Sequence, residues 1–402
     1  MNSDHPSAAG LGAGPIGLYV HHHGRGHLSR ALALIANLRS PATVLTSLSV
    51  ERSELLGADL LRLPLDVPGS VAGDLPAPPG PPLRGLHYAP LGSAGLLERT
   101  AAICAWTREV RPSLLVVDVS SEVAALGRLL GLPVVVVRQH GLRDDPAHAL
   151  ACGVAVSLLA PFPKSLEDER TPEWVADRTF YSGGFSRFDG RAEALAPEPV
   201  PGRVAVLLGG GGTGVSLAAL AAAARSTPGW SWNVLGYPRG GADGRLPPNL
   251  RLAGWSGDDV FDELRRSEVV VAGAGHNAVM EVAAARRPLV AIPEDRPFDE
   301  QRAKARLLGR SGLAVVRERW PAPERWPGVL REALSLGARG LAGLVDGRGA
   351  ARAAAHLDGL ARLYAGAGPE SEESSVHRPT GKGSVAELGA RSSRFSAAGT
   401  GP

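Results

Sequence analysis

Residues 269–305 have the residue types of an anion-binding turn followed by a helix. The stretch opens with the apolar run VVVA, whose β-branched residues are typical of a strand buried on both faces. Gly273 and Gly275 permit a tight turn with close backbone approach, and a helix is predicted from His276. The first backbone N–H groups of a helix have no partner within the helix and lie at its positive dipole end. We therefore expect this turn, with Gly275, His276 and Asn277, to bind a diphosphate.

Two polar residues follow the turn at spacings that suit a nucleotide pocket. Glu281 lies about one turn into the predicted helix, where its carboxylate can accept hydrogen bonds from a ribose diol. Gln301 opens the helix after the strand-like run PLVAIP and can reach a sugar hydroxyl. Taken alone, Glu281 is also explained as an acid that complements the helix dipole, and Gln301 as a surface residue. The joint order favours the nucleotide pocket.

A second glycine-rich loop, GGGGTG at residues 209–214, joins the strand-like run VAVLLG to the predicted helix VSLAALAAAA. Its backbone N–H groups can hold phosphate oxygens without a charged side chain, so Gly210, Gly211, Gly212 and Thr213 are candidate nucleotide contacts. The loop lacks the lysine of a P-loop and fits the dinucleotide fingerprint poorly, which argues against NTPases and dehydrogenases. A flexible linker is the alternative, although the flanking strand and helix are regular.

Trp255 and Ser256, in the run LAGWSGDD, form a third candidate contact region. They follow a predicted strand, so they are expected at the same sheet edge as the glycine loops. There they can flank a base through apolar cover and backbone contacts. A role for Trp255 in the core is the alternative.

The run GRGHLSR at residues 24–30 carries the candidate catalytic base. Its glycines, including Gly26, shape a turn between the run LYVHH and the helix LSRALALIANL, and His27 stands at the helix entrance. A histidine there can take a proton from an attacking hydroxyl at neutral pH. One turn later, Arg30 can bind an anion or pair with an acid. The alternative is that His27 only caps the turn.

Two further loops, DVSSE at 118–122 and RQHG at 138–141, also follow predicted strands. Their place after strands puts them on the acceptor side of the expected cleft. Asp118 and His140 are the reserve candidates for a base or an orienting group.

Apolar strand-like runs alternate with helical patterns along the whole chain, which is typical of parallel βαβ units. The first half reads strand 16–22, helix 28–38, strands 42–47 and 59–63, helix 95–110, strand 113–118, helix 121–130, and strands 133–138, 154–159 and 178–182. The second half reads strand 203–208, helix 215–225, strands 231–235 and 250–253, helix 258–266, strand 268–272, helix 276–286, strand 288–292, helix 299–310, strand 313–317, and helices 322–335 and 348–364. The pattern predicts an α/β protein of two doubly wound, Rossmann-like domains that face each other across a cleft.

The chain length of 402 residues and a polar, proline-rich break give the predicted domain boundaries. They are a disordered N-terminus (1–14), a first domain (15–186), a linker (187–202), a second domain (203–346), a C-terminal helix (347–365) and a disordered tail (366–402). Residues 64–90 are too rich in proline for a core element. We expect them to form a long loop at a domain mouth.

The formal charge of +3 is carried by scattered arginines, with lysine only at positions 164, 304 and 382. Aromatic residues do not interleave with a basic stripe, which argues against nucleic-acid binding. The basic residues Arg302, Lys304, Arg306 and Arg310 fall on one predicted helix, where we expect a solvated face; contact with phosphate or a membrane surface is the alternative.

Cysteine usage and hydropathy exclude several further classes. Cys104 and Cys152 lie in apolar, helix-like contexts without a Cys/His cluster, so neither a disulfide framework nor a zinc site is expected. No apolar run reaches the roughly 18 residues of a membrane span, and the start of the chain lacks a signal peptide pattern. The expectation is a cytoplasmic protein, with peripheral contact at the inner membrane face as an option.

The motifs resemble those of GT-B glycosyltransferases, most closely family 28 with its MurG-type N-acetylglucosaminyltransferases. GAGHNAVMEVAAARRPLVAIP followed by DEQRAKA is similar to the donor-site strand, helix and strand of that family, with Glu281 at the ribose and Glu300 and Gln301 at the donor sugar. GGGGTG resembles the family's glycine loop, and GRGHLSR a GxGHxxR variant of its first loop. The sequence departs from the family where Lys304 replaces an asparagine.

The resemblance implies an inverting, metal-independent transfer from a UDP-sugar, of which UDP-N-acetylglucosamine is one candidate. An acceptor hydroxyl, deprotonated by His27, would attack the anomeric carbon while the helix ends at 211–213 and 276–277 stabilise the leaving diphosphate. No cofactor or metal is expected. The acceptor is open between a lipid-linked group, a glycan and a small metabolite.

Two other functions fit the same motifs. A UDP-sugar hydrolase of the GT-B-like nonulosonate type would use water in place of the acceptor. The long loop at 64–90 favours a bulky acceptor and hence a transferase. A non-catalytic binding protein on the same fold is disfavoured because His27, Glu281 and Gln301 are all present.

Overall fold

The structure is a computed structural model that describes residues 14–22, 25–69, 72–75, 80–191, 198–209, 213–237, 246–254 and 257–365, with only the backbone described at 257–259. Several sequence predictions lie outside these residues: the disorder of residues 1–13 and of the tail from 366, and the contacts of Gly210, Gly211, Gly212, Trp255 and Ser256.

The first half of the chain forms a sheet of seven parallel strands in the order β3-β2-β1-β4-β5-β6-β7. Its strands are β1 Ile16–Val20, β2 Ala42–Thr46, β3 Asp59–Arg62, β4 Leu114–Asp118, β5 Val134–Val137, β6 Ser157–Ala160 and β7 Thr179–Tyr181. Its helices are α1 Gly26–Ile35, α2 Ala94–Val110, α3 Ser121–Leu129, α4 Pro146–Val154 and α5 Glu173–Asp177. The strand order reverses between β1 and β4, which is where doubly wound sheets open a crevice for ligands.

The second half forms a sheet of six parallel strands in the order β10-β9-β8-β11-β12-β13. Its strands are β8 Arg203–Leu207, β9 Ser231–Leu235, β10 Leu250–Ala253, β11 Val269–Ala272, β12 Leu289–Ala291 and β13 Val315–Val316. The helices are α6 Leu217–Ser226, α7 Gly257–Arg266, α8 His276–Ala284, α9 Glu300–Arg310, α10 Trp326–Leu336, α11 Arg339–Ala342 and α12 Gly349–Ala365. The corresponding switch point lies between β8 and β11. The prediction of two doubly wound α/β domains is confirmed.

Both faces of the central strands are covered, as their continuous apolar runs predict. In β1, Ile16 and Leu18 join the core under α1 and α12, whereas Tyr19 joins the core under α2 with Trp106. The absence of a side chain at Gly17 leaves room for Trp106, because a Cβ at Gly17 would lie 2.5 Å from the indole ring. In β8, successive residues alternate in the same way between a core with Trp326 and a core with α8.

The C-terminal helix α12 packs on the first sheet although the chain reaches it from the second. Its buried alanines and Leu357 join the core of α1 and β1. Asp358 accepts hydrogen bonds from the backbone N–H groups of Arg39 (3.0 Å) and Ser40 (3.1 Å) and from the Ser40 hydroxyl (2.7 Å). His356 stacks on Phe180 with ring centroids 4.0 Å apart. Asp358 therefore ties α12 to the loop after α1.

Two helices of the first sheet were not predicted from the sequence. Helix α4 begins at a clear start signal, with Asp145 accepting from the backbone of residues 147 and 148 and Pro146 in the first turn. It is short, and it ends at Val154, where a strand was predicted; that strand begins at Ser157. Helix α5 spans only five residues, too few to give a period.

The described parts of 64–90 contain no helix or strand, in agreement with the predicted long loop. Tyr88 donates to the carbonyl of Asp66 at 2.9 Å, and Asp66 forms an ion pair with Arg99 of α2. These contacts hold the loop on the first sheet. Among the described helices, none is long and apolar enough to cross a membrane.

We predict that Asp358→Asn destabilises the protein by about 1–3 kcal/mol at neutral pH, because an amide cannot replace a carboxylate that accepts three hydrogen bonds. Burial acts to raise the pKa of Asp358, but the hydrogen bonds from residues 39 and 40 outweigh burial and hold the pKa below its ordinary value. The stabilisation by the Asp358 carboxylate is thus fully present above the pKa of about 4 that this group has in the unfolded chain. It is lost as the pH falls through the pKa of Asp358 in the folded protein.

Urea unfolding of the wild type and the variant, measured across this pH range, checks the prediction. Asp177→Asn, at the exposed end of α5, is the matched control and is expected to change stability by less than about 0.5 kcal/mol. An Asp358→Asn effect no larger than the control's would contradict the role given to α12.

Candidate functional site

The first helices after the two switch points begin beside each other. Helix α1 follows β1, and helix α8 follows β11 through the turn at Gly273 and Gly275. The side-chain amide of Asn277 donates to the carbonyl of Gly26 at 2.9 Å. A Cβ at Gly26 would lie 3.2 Å from that amide nitrogen, so a larger residue would crowd the contact. The N-termini of α1 and α8, each with free backbone N–H groups, therefore meet in one cleft.

On the first sheet, His27, Arg30 and Asp118 form one cluster, which the sequence placed on separate loops. Asp118 ends β4 and is 6% exposed. Arg30 Nη1 donates to both of its oxygens, at 2.8 and 2.6 Å, and His27 Nδ1 lies 3.1 Å from Oδ2. Of the two roles predicted for Arg30, the structure therefore shows the pairing with an acid.

The electrostatics of this cluster keep Asp118 charged. Burial acts to raise the pKa of the Asp118 carboxyl, but the charge of Arg30 and then that of His27 outweigh it and lower the pKa to about 2. A carboxylate beside Nδ1 favours the tautomer that carries the proton there, which leaves Nε2 of His27 as the basic nitrogen. His27 lies partly exposed at the entrance to α1. This arrangement can accept a proton from a group in the cleft.

On the second sheet, Glu281 lies buried on α8 and contacts Arg187. The guanidinium Nε of Arg187 donates to Glu281 Oε1 at 2.9 Å. Burial raises the pKa of Glu281, and the charge of Arg187 opposes that rise. Both residues line a pocket with Ser29 and Asn277, so Glu281 faces the junction of α1 and α8. Arg187 was missed from sequence because it falls in the predicted linker, with no motif around it.

Gln301, the first buried residue of α9, fastens two turns of the second sheet. Its Oε1 accepts from the backbone N–H of Ala274 and from that of Glu294, both at 3.0 Å. A Cβ at Gly273 would lie 3.1 Å from the same oxygen, which explains the small residue there. The structure thus gives the side-chain oxygen of Gln301 a role in holding the glycine turn in place.

Lys304 and two histidines form a buried group next to the turn. Lys304 is 1% exposed, and its Nζ lies 3.2 Å from His276 Nδ1. His140, also buried, places Nε2 3.0 Å from the carbonyl oxygen of Leu166 and packs on the ring of Phe162. Burial lowers the pKa of Lys304 to about 7 and holds the pKa values of both histidines well below the ordinary range. His140, a reserve candidate for the base or orienting group, is therefore buried in the core beside Phe162.

The prediction that Lys304 lies on a solvated face of α9 is wrong, because its side chain is buried. Arg302, Arg306 and Arg310 are exposed and pair with nearby acids. They repeat every four residues, whereas Lys304 is three residues after Gln301 and shares its buried face.

Two further residues predicted to bind the nucleotide sugar, Thr213 and Glu300, lie in the described parts of the chain. The hydroxyl oxygen of Thr213 accepts from the backbone N–H of Val215 at 3.1 Å. A carboxylate oxygen of Glu300 is 3.9 Å from a guanidinium nitrogen of Arg143, in the loop after β5. Gly141 in that loop has a φ of 113° and approaches the carbonyl of Phe298, to which Leu142 donates at 2.6 Å. These contacts join the loop after β5 to the start of α9, at a second place besides the contact of Asn277 with Gly26.

A further cluster was missed from sequence because its members are far apart in the chain. His87 Nε2 lies 2.9 Å from Asp145 Oδ1, and His148 Nδ1 lies 2.5 Å from Asp145 Oδ2. Among the described residues this group has the spacing of metal ligands, with ligating atoms within 4.8 Å of one another. However, Arg143 Nη1 lies 2.7 Å from His148 Nε2, and its positive charge disfavours a cation there. Phe298, in the short turn before α9, packs on both histidine rings.

No family model and no curated sequence matches the chain. Solved structures match it in fold. The glycotransferase of kitacinnamycin is 19% identical with a TM-score of 0.59, over 87% of this chain and 97% of that one. MurG of Acinetobacter baumannii is 17% identical with a TM-score of 0.57, over 87% and 99%. The spinosyn rhamnosyltransferase SpnG, in complex with thymidine diphosphate, is 19% identical with a TM-score of 0.52, over 86% and 96%. The chain therefore has the GT-B fold.

Proposed function

We propose that the protein is a glycosyltransferase that moves a sugar from a nucleoside-diphosphate sugar to an acceptor hydroxyl by inverting displacement, without a metal. The observation that carries this proposal is the junction of α1 and α8. It places a histidine paired with a buried carboxylate next to a glycine turn and a helix N-terminus. A base and a diphosphate site at two adjoining helix N-termini are the two parts that a single displacement requires.

On the acceptor side, which we assign to residues 15–186, His27 is the base. The Asp118 carboxylate lies 3.1 Å from Nδ1 of His27 and is itself held by Arg30. Nε2 takes the proton of the acceptor hydroxyl as its oxygen attacks the anomeric carbon, and the bond from that carbon to the diphosphate breaks. The imidazolium that forms is stabilised by the Asp118 carboxylate.

On the donor side, which we assign to residues 203–346, the backbone N–H groups at Gly275, His276 and Asn277 receive the negative charge that develops on the leaving diphosphate. Arg187 occupies one oxygen of Glu281, and a ribose diol would bind the other. Gly210, Gly211, Gly212 and Thr213 are the further phosphate contacts in this proposal.

The solved neighbours support a nucleoside diphosphate as the donor's leaving group. SpnG is described in complex with thymidine diphosphate, and MurG and the kitacinnamycin enzyme share the fold. We propose that the donor is a UDP-sugar, and a thymidine diphosphate sugar is the alternative donor. We also propose that the protein belongs to glycosyltransferase family 28. The conclusion is tested by incubating the protein with UDP- and TDP-sugars, with and without alcohol acceptors. Release of free sugar without an acceptor would indicate the hydrolase, and absence of binding and turnover would refute both enzymes.

We predict that His27→Ala lowers kcat about 10²–10⁴-fold while the dissociation constant of UDP or TDP stays within about twofold. The reason is that the imidazole acts on the acceptor and not on the nucleotide. Steady-state kinetics together with calorimetric titration give both values. The control, His356→Ala on α12, removes a histidine that stacks on Phe180 and is expected to retain turnover. Full turnover in His27→Ala would contradict the role of His27 as the base and would mean that another group takes the proton.

We also predict that Glu281→Ala weakens nucleotide binding about 10–100-fold, since a charged hydrogen bond to the ribose is worth about 1.5–3 kcal/mol. Titration with UDP and with 2′,3′-dideoxy-UDP measures the effect, because thymidine diphosphate lacks the 2′-hydroxyl of a diol. The variant should bind the ribo and dideoxy forms about equally. Glu332→Ala, an exposed acid paired with Arg317, is the control. Equal loss of affinity for both sugar forms in Glu281→Ala would contradict a contact with the diol.

A further inference from the structure

The turn before α9 carries two residues in the left-handed region of backbone conformation, although neither is glycine. Phe298 has a φ of 59° and Asp299 a φ of 55°. Residues with a Cβ rarely adopt this conformation, and it persists only where surrounding contacts hold it. The turn leads directly into Gln301, whose Oε1 accepts from the backbone N–H groups of Ala274 and Glu294. The contacts that hold Phe298 therefore bear on the glycine turn before α8.

The ring of Phe298 lies in a socket formed by His87, His148 and Arg143 of the first half of the chain, which we call the Phe298 socket. The ring centroid is 5.2 Å from that of His87 and 4.7 Å from that of His148, and the guanidinium carbon of Arg143 lies 5.1 Å from it. Aromatic pairs at such distances attract each other, and so does a guanidinium over a ring. The backbone is held as well, because the N–H of Leu142 donates to the carbonyl of Phe298 at 2.6 Å.

The residues of the Phe298 socket are themselves held by polar contacts within the first half of the chain. His87, in the long loop, has Nδ1 2.8 Å from the hydroxyl of Ser121 and Nε2 2.9 Å from the carboxylate of Asp145. His148 Nδ1 also contacts Asp145, and its Nε2 lies 2.7 Å from Arg143 Nη1. These contacts orient all three side chains independently of the second half of the chain.

We propose that Phe298 is a positioning residue for the donor nucleotide. Its ring, held in the Phe298 socket, fixes the start of α9, and through Gln301 it fixes the glycine turn before α8. The assignment rests on the proposed function, because that function makes the glycine turn the diphosphate site. One side chain thus connects the long loop of the acceptor side to the donor side. Loss of the ring would misplace the N–H groups that receive the diphosphate, and small misplacements of this kind weaken binding and catalysis.

Hydrogen exchange of the protein without ligand tests the structural part of this proposal. In Phe298→Ala, the peptides that contain the backbone N–H groups of Ala274 and Glu294 should exchange at least about fivefold faster than in wild type, whereas β1 stays within about twofold. Phe298→Tyr keeps the ring and should exchange as wild type does. Tyr364→Ala on α12 is the matched control, because its ring belongs to a residue that is 37% exposed, as is Phe298.

Calorimetric titration with UDP and TDP, with uridine as the reference, tests the functional part. Phe298→Ala should bind the diphosphates about tenfold more weakly and uridine as wild type does, because the misplaced N–H groups serve the diphosphate. Phe298→Tyr should restore the affinity. In a Gln301→Ala background, Phe298→Ala should weaken binding by no more than about a further twofold, since both changes act on the same turn. Phe298→Leu is the second variant if Phe298→Ala does not fold.

The inference is overturned if Phe298→Ala leaves exchange at the two segments or the affinity for diphosphates unchanged. It is also overturned if exchange accelerates throughout the chain, which indicates general destabilisation, or if the losses of affinity in Phe298→Ala and Gln301→Ala multiply in the double variant. If wild type binds neither UDP nor TDP, the proposed function fails. The exchange measurement then still decides whether Phe298 holds the glycine turn in place.

Discussion

The charge of Asp118 is the constraint on which the cleft depends. A buried carboxylate is costly unless it is paired, and Arg30 and His27 are both drawn to it from the first turns of α1. Since Asp118 ends β4 and α1 follows β1, this ion cluster fixes the helix across the switch point of the first sheet. The same carboxylate lies 3.1 Å from Nδ1 of His27, where it favours a proton on that nitrogen. One electrostatic requirement thus serves both the folding of this region and the proposed chemistry.

The two sheets are joined at points where a side chain would not fit. Gly26 and Gly141 allow close contacts with Asn277 and Phe298. Gly184 at the end of the first sheet likewise donates to the carbonyl of Leu344 at 2.9 Å. Helix α12, which follows the second sheet in the sequence, packs on the first sheet. An apolar core also spans both halves of the chain, because Ala160, Phe162 and Leu166 of the first half join the buried cluster of β8, β11 and α8.

The fold could be predicted from sequence because parallel strands buried on both faces produce runs such as VVVV at β5 and VVVA at β11. The positions of His27 and of the glycine turn followed from the rule that ligands bind at the carboxyl ends of strands. Short helices such as α5 gave no signal. Contacts between distant segments could not be predicted either: the Arg187 contact to Glu281 spans 94 positions in the chain. Lys304 was misplaced because a cluster of basic letters suggested one exposed face, whereas helical periodicity separates it from its neighbours.

The central claim is that the junction of α1 and α8 binds a nucleoside diphosphate. A crystal structure of the protein with UDP or TDP tests it most directly. We expect diphosphate oxygens within hydrogen-bond distance of the backbone N–H groups at the start of α8, and the ribose beside Glu281. A nucleotide bound elsewhere on the molecule, with this junction unchanged and filled only by solvent, would contradict it.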